Sequence, residues 1–368
     1  MKAAAPNQPE RSGADTARPS LRGAAAVIVL NFGEPEHATM EEVVPFLERI
    51  FMMNASLEDA GAYERALKRS QQLARERAPG LIEEFEKIGG SPLHAQARAQ
   101  AVDLARELSQ RGHTVKTYVG MQFTQPSIPD AVASARADGV TRLIGLPVYP
   151  LCGPSTTIAA LTDLRKAIHE SGWDVEVREI TGWHPHPQYT ALRADAIRKT
   201  ATDNGVDLND PRTKLVYSAH GTPRKYLDEG SRYEQYVEES CKLIADALGV
   251  SDYVIGYQNH TNRPGVKWTE PDIEKVIETV DAETVIVDGV AFMHEQSETL
   301  AELDHDLREE AEERGLTYYR VPTPWNDPRL QVVLADLCEP LIAQDQPESR
   351  LRPCRCREQP GTYCLNRR

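Results

Sequence analysis

Apolar runs and amphipathic stretches alternate along the chain from residue 24 onward. The first run, AAAVIVL over residues 24–30, has no polar side chain and predicts a buried strand. By the same criteria, strands are predicted over residues 24–30, 114–119, 142–148, 175–180, 214–218, 253–257, 284–290 and 317–321. Apolar positions at helical spacing predict helices over residues 40–51, 63–85, 93–110, 126–138, 155–171, 189–204, 232–248, 271–278, 298–314 and 327–341.

This strand–helix alternation indicates an α/β fold with parallel sheets covered by helices on both faces. Two sets of about four strands predict two similar, doubly wound, Rossmann-like domains. We expect a disordered tail at 1–23, because that segment is rich in Ala, Pro, Ser and charge. The remaining units are expected to be a first domain at 24–185, a second at 186–326, a helix at 327–345 that returns to the first, and a cysteine-rich tail at 346–368.

The acidic balance of the chain narrows the choice of partners. Lys and Arg number 42 and Asp and Glu number 56, so the net charge is −14. Nucleic-acid binding is disfavoured, because phosphate recognition needs a basic face. No apolar run approaches the roughly 20 residues of a membrane-spanning helix. We therefore expect a cytoplasmic protein without a transmembrane segment, while a local basic patch would still allow peripheral membrane contact.

Four marked segments directly follow predicted strands, at residues 31–35, 149–157, 218–223 and 292–298. Ligands of open parallel sheets bind beyond the carboxyl ends of the strands. The sequence therefore predicts that these segments converge in one cleft.

His220 and an acidic row are the candidates for chemistry in this cleft. A neutral imidazole at His220 suits metal binding or proton abstraction, and the alternative is a structural histidine bonded to a loop carbonyl. Glu298, Glu302 and Asp306 are spaced i, i+4, i+8, which places them on one helix face where a cation could offset their repulsion. The alternative is a solvated acidic face.

Ser155, Thr156 and Trp268 are candidates for contacts with a ligand. Ser155 or Thr156 is expected to cap a helix, whose N-terminus could also bind a carboxylate. Trp268 is either a core aromatic or a flat stacking wall.

The last 15 residues hold three of the six cysteines, Cys354, Cys356 and Cys364. This segment has almost no apolar content, so a metal or cluster is expected to organise it, and the alternative is an untethered tail with incidental thiols. Four thiolates suit a zinc ion or an iron–sulfur cluster. The fourth thiolate would be Cys152 or Cys338, since Cys241 lies in a helix pattern and reads as buried and inert.

Six segments of the chain, in family order, resemble the signatures of ferrochelatases. The similar segments are LNFGEP at 30–35, IGGSPL at 88–93, STT at 155–157, SAHGTP at 218–223, Tyr257-Gln258 with Lys267-Trp268, and ETLAELD at 298–304. The resemblance implies two Rossmann-like domains around a porphyrin cleft, with Fe²⁺ as the inserted metal and two protons released.

The resemblance also implies roles for individual residues. His220 would bind metal or take pyrrole protons, with Glu298 as its partner across the cleft. Glu302 and Asp306 would continue an acidic row that handles metal or protons. The macrocycle would contact Phe32 and Trp268. The tail looks like the C-terminal [2Fe-2S] extension of some members, which use three C-terminal cysteines and one internal cysteine, and Cys152 is the best internal candidate.

The chain departs from the family pattern at three places. Gln296 stands where many members have a histidine, with His294 close by. The segment Cys152-Gly153-Pro154 before Ser155 looks longer than in other members. The cysteine spacing of the tail differs, which leaves Cys338 as a rival fourth ligand.

Several alternatives stay open at this stage. The porphyrin could be protoporphyrin IX or coproporphyrin III, and the oligomeric state is open between monomer and homodimer. Two other functions also fit the pattern. One is a chelatase for another divalent metal, such as cobalt or nickel, on the same fold. The other is a porphyrin or haem carrier whose iron–sulfur cluster acts as a sensor.

Overall fold

The computed structural model describes residues 25–57, 63–260, 265–342, 354–357 and 359–366. The expected disordered tail at 1–23 lies outside these ranges, as do residues 343–353. The strands are β1 (Ala25–Asn31), β2 (Lys116–Met121), β3 (Arg142–Pro147), β4 (Glu176–Ile180), β5 (Thr213–His220), β6 (Tyr253–Gln258), β7 (Thr284–Gly289), β8 (Thr317–Val321) and β9 (Thr362–Tyr363).

The described helices surround these strands. They are α1 (Met40–Met53), α2 (Tyr63–Lys87), α3 (Leu93–Gln110), α4 (Ile128–Ala137), α5 (Ala159–Glu170), α6 (Pro187–Asp203), α7 (Arg224–Asp228), α8 (Tyr233–Leu248), α9 (Ile273–Thr279), α10 (Ser297–Leu300), α11 (Leu307–Glu313) and α12 (Pro328–Ile342). Three single turns complete the set: a 3₁₀ turn at Asn54–Leu57 and π-helical turns at Pro154–Ile158 and Glu302–Asp306. No helix in the described ranges has both the length and the apolar character needed to cross a membrane.

The strands form two parallel sheets, and the first four strands of each sheet are arranged in the same order. The first sheet runs β2-β1-β3-β4-β9 and the second β6-β5-β7-β8. All seven residues of β1 are buried, as expected for a central strand with helices over both faces. This architecture confirms the predicted fold class of two doubly wound α/β units.

The order reverses at the same place in both sheets. In the first sheet it reverses beside β1 and β3, and in the second beside β5 and β7. Ligands of doubly wound sheets bind at this switch point. The four marked segments of the sequence follow these four strands.

Two C-terminal elements pack against the first sheet. Helix α12 packs on α3 and β3, with Cys338 inside the same apolar core as Leu104 and Trp183. The short strand β9 pairs with β4 through Glu179↔Thr362 and Ile180↔Tyr363, and the sequence did not predict this strand. The division of the chain at residues 185 and 186 stays a prediction.

Two predicted helices are wrong in detail, and each is interrupted by a π-helical turn. The expected helix at 298–314 is α10, a turn and α11, because Asp306 N donates 3.0 Å to Ala301 O, five residues back. The expected helix at 155–171 begins with a turn in which Ile158 N donates 3.1 Å to Gly153 O. Neither Ser155 nor Thr156 caps a helix, because Gly153 flanks this turn and no side chain caps it.

Candidate active site and cysteine group

A cleft of about 1020 Å³ lies at the carboxyl ends of both sheets. Each sheet contributes to its lining through the segments that follow its two central strands. The predicted residues that line the cleft are Phe32, Ser155, Thr156, His220, Trp268, Glu298, Glu302 and Asp306. The fold therefore brings together residues as far apart in the chain as Phe32 and Asp306.

His220 is the last residue of β5 and forms an ion pair with Glu298. Glu298 is therefore not its partner across the cleft, as expected, because no macrocycle fits between two side chains in direct contact. The His220 Nε2 atom lies 3.0 Å from Glu298 Oε1, and its Nδ1 atom donates to the Gly221 carbonyl at 2.6 Å. Desolvation lowers the pKa of His220. The charge of Glu298 and the hydrogen bond to it outweigh this effect and raise the pKa to about 9. Both ring nitrogens act as donors here, so the resting side chain is an imidazolium rather than the expected neutral imidazole.

Glu298 is held by two amides in addition to His220. Asn259 Nδ2 donates to Glu298 Oε1 at 2.7 Å, and Gln296 Nε2 donates to Glu298 Oε2. Gln296 is the residue that departs from the family pattern. In this chain its amide binds the carboxylate of the site directly.

The three residues of the acidic row lie in three different environments. Glu302 accepts a hydrogen bond from Gln258 Nε2 at 3.0 Å. Burial, and then the charge of Glu298, raise the pKa of Glu302 to about 8, so this carboxyl is protonated at neutral pH. Asp306 is exposed at the rim and pairs with Lys87 Nζ at 3.2 Å. The row therefore runs from an ion-paired carboxylate, through a neutral acid, to solvent.

Aromatic rings provide apolar walls for the cleft. The Phe32 ring lies 4.5 Å from the Phe123 ring and 6.2 Å from the Phe46 ring, measured between centroids. The Trp268 ring stacks on the His260 ring at 5.7 Å, and His260 Nδ1 lies 2.6 Å from Asp272. Ser155 and Thr156 add two hydroxyls from the π-helical turn after β3.

Four of the six cysteines form a separate group beside the cleft. The Sγ atoms of Cys152, Cys354 and Cys356 all lie within 4.8 Å of one another, and Cys364 is hydrogen-bonded to Cys354. Cys338 lies in the α12 core instead, and Cys241 is buried in α8. Three mutually close thiols, with Cys364 beside one of them, could supply ligands to an iron–sulfur cluster or a zinc ion.

The family model described as ferrochelatase matches residues 24–341. The chain belongs to the ferrochelatase family. It is accordingly a porphyrin metal chelatase of haem synthesis, with ferrous iron and a porphyrin as its substrates.

Curated ferrochelatases match over most of their length. The chain is 32% identical over 333 residues to the ferrochelatase of a Picosynechococcus species, which covers 88% of the chain and 84% of the relative. It is 30% identical over 319 residues to that of Aquifex aeolicus, which covers 84% of the chain and 97% of the relative. Among solved structures, SirB from Bacillus subtilis with Fe³⁺ gives a TM-score of 0.48 at 11% identity, over 69% of this chain and 92% of that chain.

Two buried residues of the ferrochelatase cleft were not singled out as site residues from the sequence. Glu34 accepts hydrogen bonds from Ser91 and Ser297, and burial raises its pKa to about 7. His294 is 4% exposed, and its Nε2 atom has no hydrogen-bond partner among the described residues. Both residues lie in segments that follow central strands, and Glu34 also lies in the LNFGEP segment. Their surroundings come from distant parts of the chain, so no local pattern marked them as site residues.

Proposed function

We propose that the His220–Glu298 pair is the place in the cleft where Fe²⁺ enters the porphyrin. The observation that carries this proposal is the 3.0 Å contact between the two side chains, inside a cleft that both sheets line. A base and a carboxylate at one point of a macrocycle-sized cavity suit the removal of two pyrrole protons.

The two proton transfers follow from the charges of the site. In the resting cleft His220 already holds a proton, so it must lose that proton before it can accept one. An incoming divalent cation favours this loss, because like charges lower the pKa of an imidazolium. We infer that the proton passes along Glu298 and Glu302 toward Asp306 at the rim. His220 and Glu298 then accept the two pyrrole protons, whose electron pairs remain on the nitrogens that bind iron.

The cleft also suits the shape and charge of a porphyrin. Its volume of about 1020 Å³ lies at the upper end of the usual range for small-molecule sites. We propose that Phe32 and Trp268 contact the faces of the macrocycle, and that Ser155 and Thr156 bind its periphery. Arg69 and Arg77 on α2 also line the cleft and suit the propionates.

We further propose that Cys152, Cys354, Cys356 and Cys364 hold a [2Fe-2S] cluster. The mutual closeness of Cys152, Cys354 and Cys356 supports this, and Cys364 beside Cys354 would be the fourth ligand. When bound, such a cluster supplies a redox-active link between the C-terminal segment and the loop after β3. We place the protein in the cytoplasm, where this cluster and the ferrous substrate are both stable.

An anaerobic steady-state assay tests the proposed function. The purified protein is given ferrous iron and either protoporphyrin IX or coproporphyrin III, and product is counted per protein. We expect many turnovers with one of the two porphyrins, which also identifies the substrate. A porphyrin carrier would give at most one equivalent, and that result would refute the proposal.

A further inference from the structure

Glu34 is a buried carboxylate that joins the two halves of the molecule beside the proposed iron site. It follows β1 and Gly33, whose φ of +84° is a conformation that favours glycine. A Cβ atom on Gly33 would lie 2.3 Å from Thr124 Oγ1, so the close packing of this turn also requires glycine. The turn sets the next residue, Glu34, inside the protein at 3% exposure.

Three donor groups hold the Glu34 carboxyl. Ser91 Oγ, in the loop before α3, donates to it at 2.5 Å. Ser297 Oγ donates at 2.5 Å, and Ser297 N donates at 3.2 Å. Ser297 is the first residue of α10, and Glu298 comes next. Glu34 is therefore bonded to the residue that directly precedes Glu298, the partner of His220.

This arrangement is costly to keep, because a buried carboxyl loses its hydration. Burial raises the pKa of Glu34 to about 7, against the lowering effect of the serine hydrogen bonds, and the charge of Glu298 raises it further. Strongly shifted carboxyls of this kind are concentrated at functional sites.

We propose that Glu34 is a positioning residue, which fixes Ser297 and thereby holds Glu298 at hydrogen-bonding distance from His220. The proposal rests on the function proposed for that pair. Asn259 and Gln296 hold the Glu298 side chain from the second half of the molecule. Gln258 Nε2 also donates to the Glu298 carbonyl at 2.9 Å. Glu34 holds the preceding residue, Ser297, from the first half, and the 2.9 Å bond from Glu295 N to Gln96 Oε1 adds to this.

A spectroscopic consequence follows from this role. The pKa of His220 is high because Glu298 lies 3.0 Å from it. If Glu34→Ala lets Glu298 move away, the pKa of His220 must fall toward its ordinary value of about 6.5. A role confined to stability would leave the titration of His220 unchanged in the folded variant.

The test is an NMR titration of ¹³C-histidine-labelled protein, with the His220 signal assigned from His220→Asn. In Glu34→Ala we expect the His220 pKa to fall by about one unit or more. We also expect kcat to fall about tenfold or more, with a much smaller change in the KM for porphyrin. Glu34→Gln, which keeps an acceptor for one serine, should show a smaller effect on both.

Glu36→Ala is the matched control. Glu36 is exposed and pairs with Arg98 at 2.7 Å on the surface, so this change should alter neither quantity. Should Glu34→Ala fail to fold, Glu34→Gln carries the same measurement. An unchanged His220 titration in the folded variant overturns the positioning role, whatever happens to turnover. Because the titration needs no catalysis, a wild-type protein without turnover would refute the proposed function and leave this test intact.

Discussion

At the scale of single residues, the cleft reverses the ordinary protonation of two groups. His220 is a cation because Glu298 lies against it, and Glu302 is a neutral acid because it is buried near the same charge. When the surroundings shift the pKa values of neighbouring groups in this way, one site can hold both an acid and a base near pH 7.

His294 shows the opposite behaviour, and its stability effect can be predicted with its sign. Burial lowers its pKa to about 4, against an unfolded value of 6.5. Between these pH values the unfolded chain binds more protons at this residue, so its contribution to stability is present above pH 6.5 and is lost as the pH falls toward 4. At pH 5 the loss is about 2 kcal/mol relative to pH 8.

We therefore expect His294→Phe to be more stable than the natural chain, and by a larger margin at pH 5 than at pH 8. The change also removes the buried Nε2 atom that lacks a partner among the described residues. Urea unfolding of both proteins at the two pH values measures the margin. A margin that is equal at both would contradict the buried, neutral state of His294.

At the scale of elements, the two π-helical turns of the described chain both lie at the cleft. One carries Ser155 and Thr156, and the other begins at Glu302 and ends at Asp306. Turns of this kind are often found at functional sites. Their positions could not be predicted from hydrophobic spacing, because a single turn is too short to show a period of its own.

The acidic segment offers a direct comparison between two carboxylates. Glu298 contacts His220 in the cleft, whereas Glu309 on α11 is exposed and does not line the cleft. Glu298→Gln should therefore lower turnover by about 10²-fold or more, the usual contribution of a proton acceptor. Glu309→Gln should stay within about twofold of the natural chain, as expected for a surface change.

Initial rates at saturating porphyrin and iron decide this comparison. Equal, small effects from both changes would favour the solvated acidic face that the sequence also allowed. The predicted single helix over this segment was wrong. The position of Glu298 at the cleft follows instead from the end of β7, a few residues earlier in the chain. Strand ends were the part of the pattern that the sequence located well.

At the scale of the whole molecule, the strand order and the ends of the central strands account for the site. Runs of apolar residues mark β1, β3, β5 and β7, so the segments after them could be predicted to meet. Contacts such as Glu34 with Ser297 join segments 263 residues apart, and no local pattern encodes them. The pairing of β9 with β4 was missed for the same reason, since two residues make no recognisable strand pattern.

The C-terminal segment is attached to the first sheet by a buried charge as well as by β9. Glu179 on β4 is fully buried and accepts hydrogen bonds from Arg357 Nε at 2.7 Å and from Arg165 Nε at 2.5 Å. The Arg357 contact holds the segment against β4. The same segment brings Cys354 and Cys356 to Cys152 in the loop after β3, with the three Sγ atoms within 4.8 Å of one another.

The colour of the purified protein tests the proposed cluster. We expect a brown protein with [2Fe-2S] absorption, and we expect Cys152→Ser to bleach it because one of four thiolates is lost. Cys338→Ser should keep the colour, since Cys338 is buried in the α12 core. Bleaching by Cys338→Ser alone would contradict the ligand assignment. A colourless protein that contains zinc would refute the cluster but would leave the chelatase site unaffected.

The role of the His220–Glu298 pair is tested by the rate of iron insertion by His220→Ala, measured anaerobically at saturating ferrous iron and porphyrin. Porphyrin binding is measured on the same sample by fluorescence quenching, so that loss of binding is separated from loss of chemistry. We predict that the variant folds and binds porphyrin, and that insertion falls by at least about 10²-fold, because the base beside Glu298 is gone. Turnover close to that of the natural chain would contradict the assignment of the His220–Glu298 pair as the iron insertion site.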